Sequence, residues 1–162
     1  SICDCIIQES NGLLRHISVQ ALVDVPIRHA KYVKSVAFYE NRILITASAD
    51  GNVHLYNIRV DLFNEDAPLQ VSHWKSLHLN KPVECTCLYG SKLYVYVRET
   101  AHLSCFDLDN DCKLSTLALN HGMVGGFDSH VSFAVLDLRV HGKYLACATD
   151  ANRHIVYDLE TE

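Results

Sequence analysis

Three times along this chain a run of short apolar strands ends in an aromatic residue followed by Asn or Asp: Tyr56-Asn57, Phe106-Asp107 and Tyr157-Asp158, spaced 50 and 51 residues apart. Self-similarity at a period of this size means an array of small units, each unable to bury its apolar face alone and each covered by its neighbours. Helical periodicity is almost absent and two-residue alternation takes its place, so the units read as strands. Nothing else in the sequence restricts the fold as much.

The clearest unit runs from Val33 to Asn57. An apolar run, Val36-Ala37-Phe38, is followed by the turn Glu40-Asn41-Arg42 and then by Ile43-Leu44-Ile45-Thr46. Asp50-Gly51-Asn52 is a strong hairpin signal, and Val53-His54-Leu55-Tyr56-Asn57 forms the return strand. A fourth strand is expected at Leu69–Leu79, beyond the polar stretch Asn64 to Pro68. The same order recurs as Val83–Leu88, Lys92–Val97 and His102–Leu108, and again as Val131–Leu138, Lys143–Ala148 and His154–Leu159. A weaker copy near the start, Leu14–Val19, puts Ile17-Ser18 in the corresponding place, 39 residues before Tyr56-Asn57.

The residues from His29 to Asn57 resemble the WD-repeat family of β-propellers: a His, then Ser35-Val36-Ala37-Phe38, then Ala47-Ser48-Ala49-Asp50-Gly51, then Leu55-Tyr56-Asn57. In that family a His, a Ser or Thr, an Asp and a Trp form a hydrogen-bonded set that staples each blade. The resemblance puts His29, Ser48 and Asp50 in the first three roles and Tyr56 where Trp is commonest. By the same resemblance His78 and His130 are the histidines of the next units and Asp150 the aspartate of the last, with Thr100 standing at the turn position of Asp50. The likeness is strong in one repeat and loose in two or three, and it spans nearly the whole chain. It implies an all-β fold of four-stranded antiparallel blades, divided as 1–28 (a partial first blade), 29–79, 80–119 and 120–162 (incomplete). At roughly 40–45 residues per blade this is about 3.5 blades, fewer than the usual closed ring. The expectation is therefore a segment of a larger propeller, completed by further blades or by self-association that covers the open sheet edges.

Candidate chemistry is sparse. Cys3/Cys5 and Cys85/Cys87 are Cys-x-Cys pairs, which a strand places on one face roughly 7 Å apart. Zinc sites ask for Cys-x2–4-Cys with a second such couple, so buried thiols are the expectation and no metal or cofactor is assigned. Ten histidines show no His-x-His or Glu-x-x-His spacing, and no hydrolase triad is signalled. Gly122 to Phe127 lacks the Lys-Ser/Thr ending of a phosphate loop. It reads as a connector, or as an adaptable loop that offers Met123 and Phe127 to a partner. The charge balance, 14 − 19 = −5, argues against nucleic-acid binding, which wants a basic face.

The first residues lack the basic and long apolar regions of a secretory signal, and the absence of Met suggests a piece of a longer protein. Seven cysteines scattered through apolar alternation suit a reduced compartment, cytoplasmic or nuclear. No apolar run reaches membrane-spanning length. In a propeller the hairpins between second and third strands share one side with the segments that lead into each blade. That side would carry Lys31, Tyr32, Lys34, Asn52, Arg98, Glu99, His102, Met123, Phe127, Asn152 and Arg153. The functional expectation is a non-catalytic scaffold that binds a protein or peptide there. A place in an RNA-processing particle is the alternative, and an enzymatic propeller a more distant one.

Overall fold

A computed structural model describes residues 3–8, 14–19, 25–60, 69–119, 134–150 and 154–160, the first two stretches as backbone alone. Every regular element among them is a β-strand. β1 (Cys3–Gln8) and β2 (Leu14–Val19) form an antiparallel pair. β3 (Val33–Tyr39), β4 (Ile43–Ser48), β5 (Asn52–Val60) and β6 (Leu69–His78) form a first four-stranded sheet in chain order. β7 (Val83–Tyr89), β8 (Lys92–Val97), β9 (His102–Asp107) and β10 (Lys113–Ala118) form a second. β11 (Val135–His141), β12 (Tyr144–Thr149) and β13 (His154–Asp158) form a third, of three strands. Among the described residues all pairings are antiparallel and no sheet closes on itself. No helix among the described residues is long and apolar enough to cross a membrane.

The repeat read from the sequence is repeated in backbone detail. The first strand of each sheet carries the same β-bulge, at Val33/Ser35, Val83/Cys85 and Val135/Asp137. A bulge re-aims one side chain and sharpens the local twist, and it singles out Lys34, Glu84 and Leu136 as equivalent residues. Within or just past each third strand the same bond returns to the hairpin between the first two: Ile58 N–H to Arg42, Leu108 N–H to Ser91 and Leu159 N–H to Lys143, at 2.7, 2.9 and 2.9 Å. The turns before the second strands take positive φ at Glu40 and Asn41, at Gly90 and at Gly142.

Two cores lie between the sheets. Ile45, Ala47, Val53 and Leu55 of the first sheet meet Val83, Leu93, Val95 and Phe106 of the second. The other face of the second sheet sends Cys85, Tyr94, Tyr96 and Leu103 against Val135, Leu138, Leu145 and Cys147 of the third. The first strands β3, β7 and β11 run beside one another. Polar bonds tie the first two sheets as well: Ser35 Oγ to Thr86 Oγ1 at 2.6 Å, and the Tyr39 hydroxyl to both carboxylate oxygens of Asp109 at 3.0 Å.

The outer faces of the array differ. Val36 and Phe38 are 59% and 58% exposed on the first sheet, while their counterparts Leu138 and Val140 are covered in the third. On the third sheet the places held by Ala37 and Tyr39 in the first belong to Arg139 and His141, and Arg139 pairs with Asp137 at 2.9 Å.

The β4–β5 turn generates the first expected outcome. Gly51 has φ +85°, its N–H bonds Ser48 O at 3.1 Å, and a Cβ there would stand 2.9 Å from Lys81 O. Gly51→Ala therefore costs roughly 1–3 kcal/mol, through the left-handed backbone and a contact with main chain that cannot swing aside. Urea unfolding should show it as a lowered midpoint, with Gly142→Ala, where the added Cβ meets open space, costing less.

Candidate functional site

The side of the array that bears the β4–β5, β8–β9 and β12–β13 hairpins also receives the segments leading into β3, β7 and β11. One backbone bond recurs at each junction: Ala49 N–H to Tyr32 O, Arg98 N–H to Pro82 O and Asp150 N–H to Ala134 O, at 3.2, 2.9 and 3.1 Å. Lys31, Tyr32 and Lys34 lie in or just past the first lead-in segment, and Asn52, Arg98, Glu99 and His102 lie in or beside the β4–β5 and β8–β9 hairpins. Met123, Phe127, Asn152, Arg153 and His130 lie outside the described residues, as does the Gly122–Phe127 stretch.

His29 is the centre of the first junction. Its ring is buried, with the side chain 5% exposed, and Nδ1 lies 3.2 Å from Asp50 Oδ2. The Asp50 carboxylate also accepts from Ala30 N–H at 2.8 Å and from Asn52 N–H at 2.9 Å. Burial raises the Asp50 carboxyl, and bonds from Asn52, Ala30 and His29 overcome that, so it ends below the ordinary aspartate value.

The hydroxyl that meets His29 is Thr46, whose Oγ1 lies 2.9 Å from Nε2, and not Ser48. The two residues share a face of β4, but Ser48 is at the strand end, where its hydroxyl donates to Lys31 O at 3.2 Å and accepts from Asp50 N–H at 3.1 Å. Ser48 thus shapes the turn that presents Asp50. Tyr56 is fully buried and donates to Ile27 O at 2.7 Å, so it clasps the lead-in segment 25–32 directly.

The remaining staple assignments are corrected. His78 is exposed and its Nδ1 turns back to Asn52 Oδ1 at 2.6 Å within its own sheet. Strand alternation explains this: β6 runs through His78, and burying Leu77 points His78 outward. Thr100 bonds Val97 O at 2.7 Å and serves its own hairpin. Asp150 accepts from Ala134 N–H at 2.9 Å, yet it occupies the turn place of Ala49, one residue earlier than Asp50, in a hairpin of the same length. The recurring device is instead the tyrosine. Tyr157, at the place of Tyr56, donates to Leu119 O at 2.6 Å from a buried position, and the second sheet has Phe106 there.

The exposed part of the side is organised by Glu84, which sequence reasoning missed because a bulge leaves no trace in residue types. Its side chain is 16% exposed and bridges Lys34 Nζ at 2.9 Å and Arg98 Nε at 2.6 Å. Burial raises the Glu84 carboxyl and the bonds from Lys34 and Arg98 lower it further, to a net value below that of ordinary glutamate. The Lys34 ammonium also sits 5.2 Å from the centroid of the Tyr32 ring, a cation–π geometry. Tyr32, beside this cluster, and Leu136, the equivalent bulge residue of the third sheet, stand 62% and 63% exposed. Lys31 and His102 are exposed, and Glu99 faces Lys81 at 3.6 Å.

Cys85 and Cys87 lie in the second core with Cys105 and Cys147. Burial pushes the Cys85 and Cys87 thiols up to about 12 and Cys147 up to about 11, which makes them poor nucleophiles and poor ligands. The side chains of Cys3 and Cys5 are outside the described residues. No group of metal-ligating side chains assembles among those described.

Two variants test the junctions. Tyr157→Phe leaves the Leu119 carbonyl without its donor and should cost roughly 1–3 kcal/mol by calorimetry, more than Phe106→Leu loses in specificity of contact alone. Asp50→Asn should cost about 2 kcal/mol near neutral pH. Because the folded carboxyl is depressed, that contribution is complete above the ordinary aspartate range and disappears as pH falls through the folded value. The gap between wild type and Asp50→Asn should therefore close in acid, and a gap independent of pH would contradict the ionised bridge.

No family model matches the chain, and no curated protein does. Among solved structures it is similar to two computationally designed proteins. Ika4 has 13% identity over 87% of this chain and 99% of its own, with a TM-score of 0.41. Ika8 has 13% identity over 96% of this chain, with a TM-score of 0.40, and this chain spans 55% of its length.

Proposed function

We propose that the chain is part of a WD-repeat-like propeller and serves as a non-catalytic scaffold that docks a protein or peptide on its hairpin-bearing side. The observation that carries the reading is the set of bulge residues. The same backbone irregularity sets off Lys34, Glu84 and Leu136 in three sheets, and the first two meet Tyr32 and Arg98. Exposed apolar groups next to fixed charges, on rigid sheets, suit recognition of a segment that offers both kinds of contact. The side-by-side first strands and face-to-face sheets support a radial arrangement. The exposed Val36 and Phe38 support a further blade before the first sheet, while the Arg139–Asp137 pair on the third asks for a polar neighbour. A cytoplasmic or nuclear setting fits the buried free thiols.

Selection of peptides from a random displayed library against the chain tests the reading. Peptides recovered should lose at least about tenfold in affinity, about 1.4 kcal/mol, on Tyr32→Ser or Leu136→Ser, and keep it on Leu114→Ser, an exposed residue of β10. Each substitution is at an exposed side chain and should move stability by less than about 0.5 kcal/mol. Equal binding by Tyr32→Ser, Leu136→Ser and wild type would refute docking on this side.

A further inference from the structure

The face of the first sheet that lies under segment 25–32 gathers four histidines, and scaffold function accounts for none of their chemistry. His54 on β5 is 5% exposed. Its ring stacks on that of His29 with centroids 4.4 Å apart and planes inclined by 26°. His73 of β6 meets it edge-on at 6.2 Å and Tyr56 at 6.3 Å. Ser76 Oγ stands between two of these rings, 2.8 Å from His54 Nδ1 and 2.9 Å from His73 Nε2. One hydroxyl proton serves that bridge, so at most one imidazole accepts from Ser76 and at least one donates to it. If both rings are charged, both are donors and the Ser76 proton loses its acceptor.

The charges facing His54 are unbalanced. His29 approaches from the lead-in segment, and His73 and His78 from β6; each adds positive charge when protonated. Asp50, in the β4–β5 turn, is the opposing carboxylate acting on His54, and it is already engaged by two backbone N–H groups and by His29. Thr46 and Tyr56, the other polar neighbours on this face, are neutral. Burial first, and the His29 charge next, hold His54 below the ordinary histidine value. With the folded value depressed, the stability that neutral His54 supports is complete above the ordinary histidine range, about 6.5, and is lost as pH falls from there through the folded value.

We propose that the His29–His54 stack is an acid-released latch: while His54 is neutral it pins segment 25–32 to the first sheet, and protonation of His54 loosens that segment. Tyr56 through Ile27 O, Ser48 through Lys31 O and Asp50 through Ala30 N–H would remain as side-chain clasps, so the segment loosens without detaching. The segment ends at Tyr32, which bonds Ala49 N–H, so acid loosens the first junction of the hairpin-bearing side. The inference stands on the ring geometry and survives if no peptide docks there.

Hydrogen exchange of the whole chain, compared at about pH 7.5 and about pH 5 after correction for intrinsic rates, reads the latch directly. Protection in peptides spanning residues 25–32 should fall at least about tenfold in acid while β8 keeps its own, and His54→Phe should reduce that fall to less than about twofold. Unchanged protection in the wild type, an equal loss in β8, or the same loss in His54→Phe would each overturn the proposal. Should His54→Phe not fold, imidazole NMR titration of the wild type decides. Release must follow the titration of His54 itself, and a His54 that titrates while segment 25–32 stays protected overturns it equally.

Discussion

The arrangement depends on the second sheet having two apolar faces. Along β8, Leu93, Val95 and Val97 point toward the first sheet while Tyr94 and Tyr96 point toward the third, and all five are buried. A strand covered on one side alternates apolar with polar residues, whereas a strand covered on both sides reads as a continuous apolar run. Each fully buried large side chain contributes on the order of 1.5–3 kcal/mol, so a central sheet with two such faces commits the chain to stacking sheet on sheet. The bulges and hairpins then determine how the stacked sheets present their ends.

Those ends are held by backbone bonds more than by side chains. The three junction bonds at Tyr32, Pro82 and Ala134 are common to every sheet, while the side chains that reinforce them change. The first junction has an ionised, multiply bonded Asp50 and a buried imidazole. The second has Thr100 closing its own hairpin, and the third has Asp150 one place earlier. Backbone donors and acceptors must be satisfied wherever they are buried, which leaves side chains free to diverge once the main-chain bond is made. This explains why an array with a constant architecture carries one complete polar set and two partial ones.

The loop-bearing side combines rigidity with exposed groups. Glu84 is held by one cation on β3 and one in the β8–β9 turn and is largely out of solvent, so Lys34 and Arg98 are fixed by it and not free to swing. Tyr32 is positioned by the bond from Ala49 N–H and by the Lys34 ammonium beside its ring. Rim charges of this kind set orientation and rate of encounter more than affinity, and an exposed aromatic supplies contact area at low entropic cost. The buried thiols between the second and third sheets, by contrast, are packing groups whose raised thiol values remove them from chemistry.

The strand content, the three-fold recurrence and the tyrosine or phenylalanine that ends each third strand were fixed locally by residue alternation and turn chemistry. Asp50-Gly51 forms its hairpin because Gly51 accepts a positive φ, and Val36 to Asn57 folds back on itself through short-range contacts. Which hydroxyl meets His29 was not local. Thr46 and Ser48 share a face and differ only in how far along β4 the lead-in segment crosses. The bulges that raise Glu84, the outward turn of His78 and the stacking of His29 on His54 likewise join residues 20 or more positions apart, or depend on one strand slipping by a residue against another. Alternation specifies which face a side chain takes, because its period is two. Only the packing of segment against sheet determines which partner waits on that face.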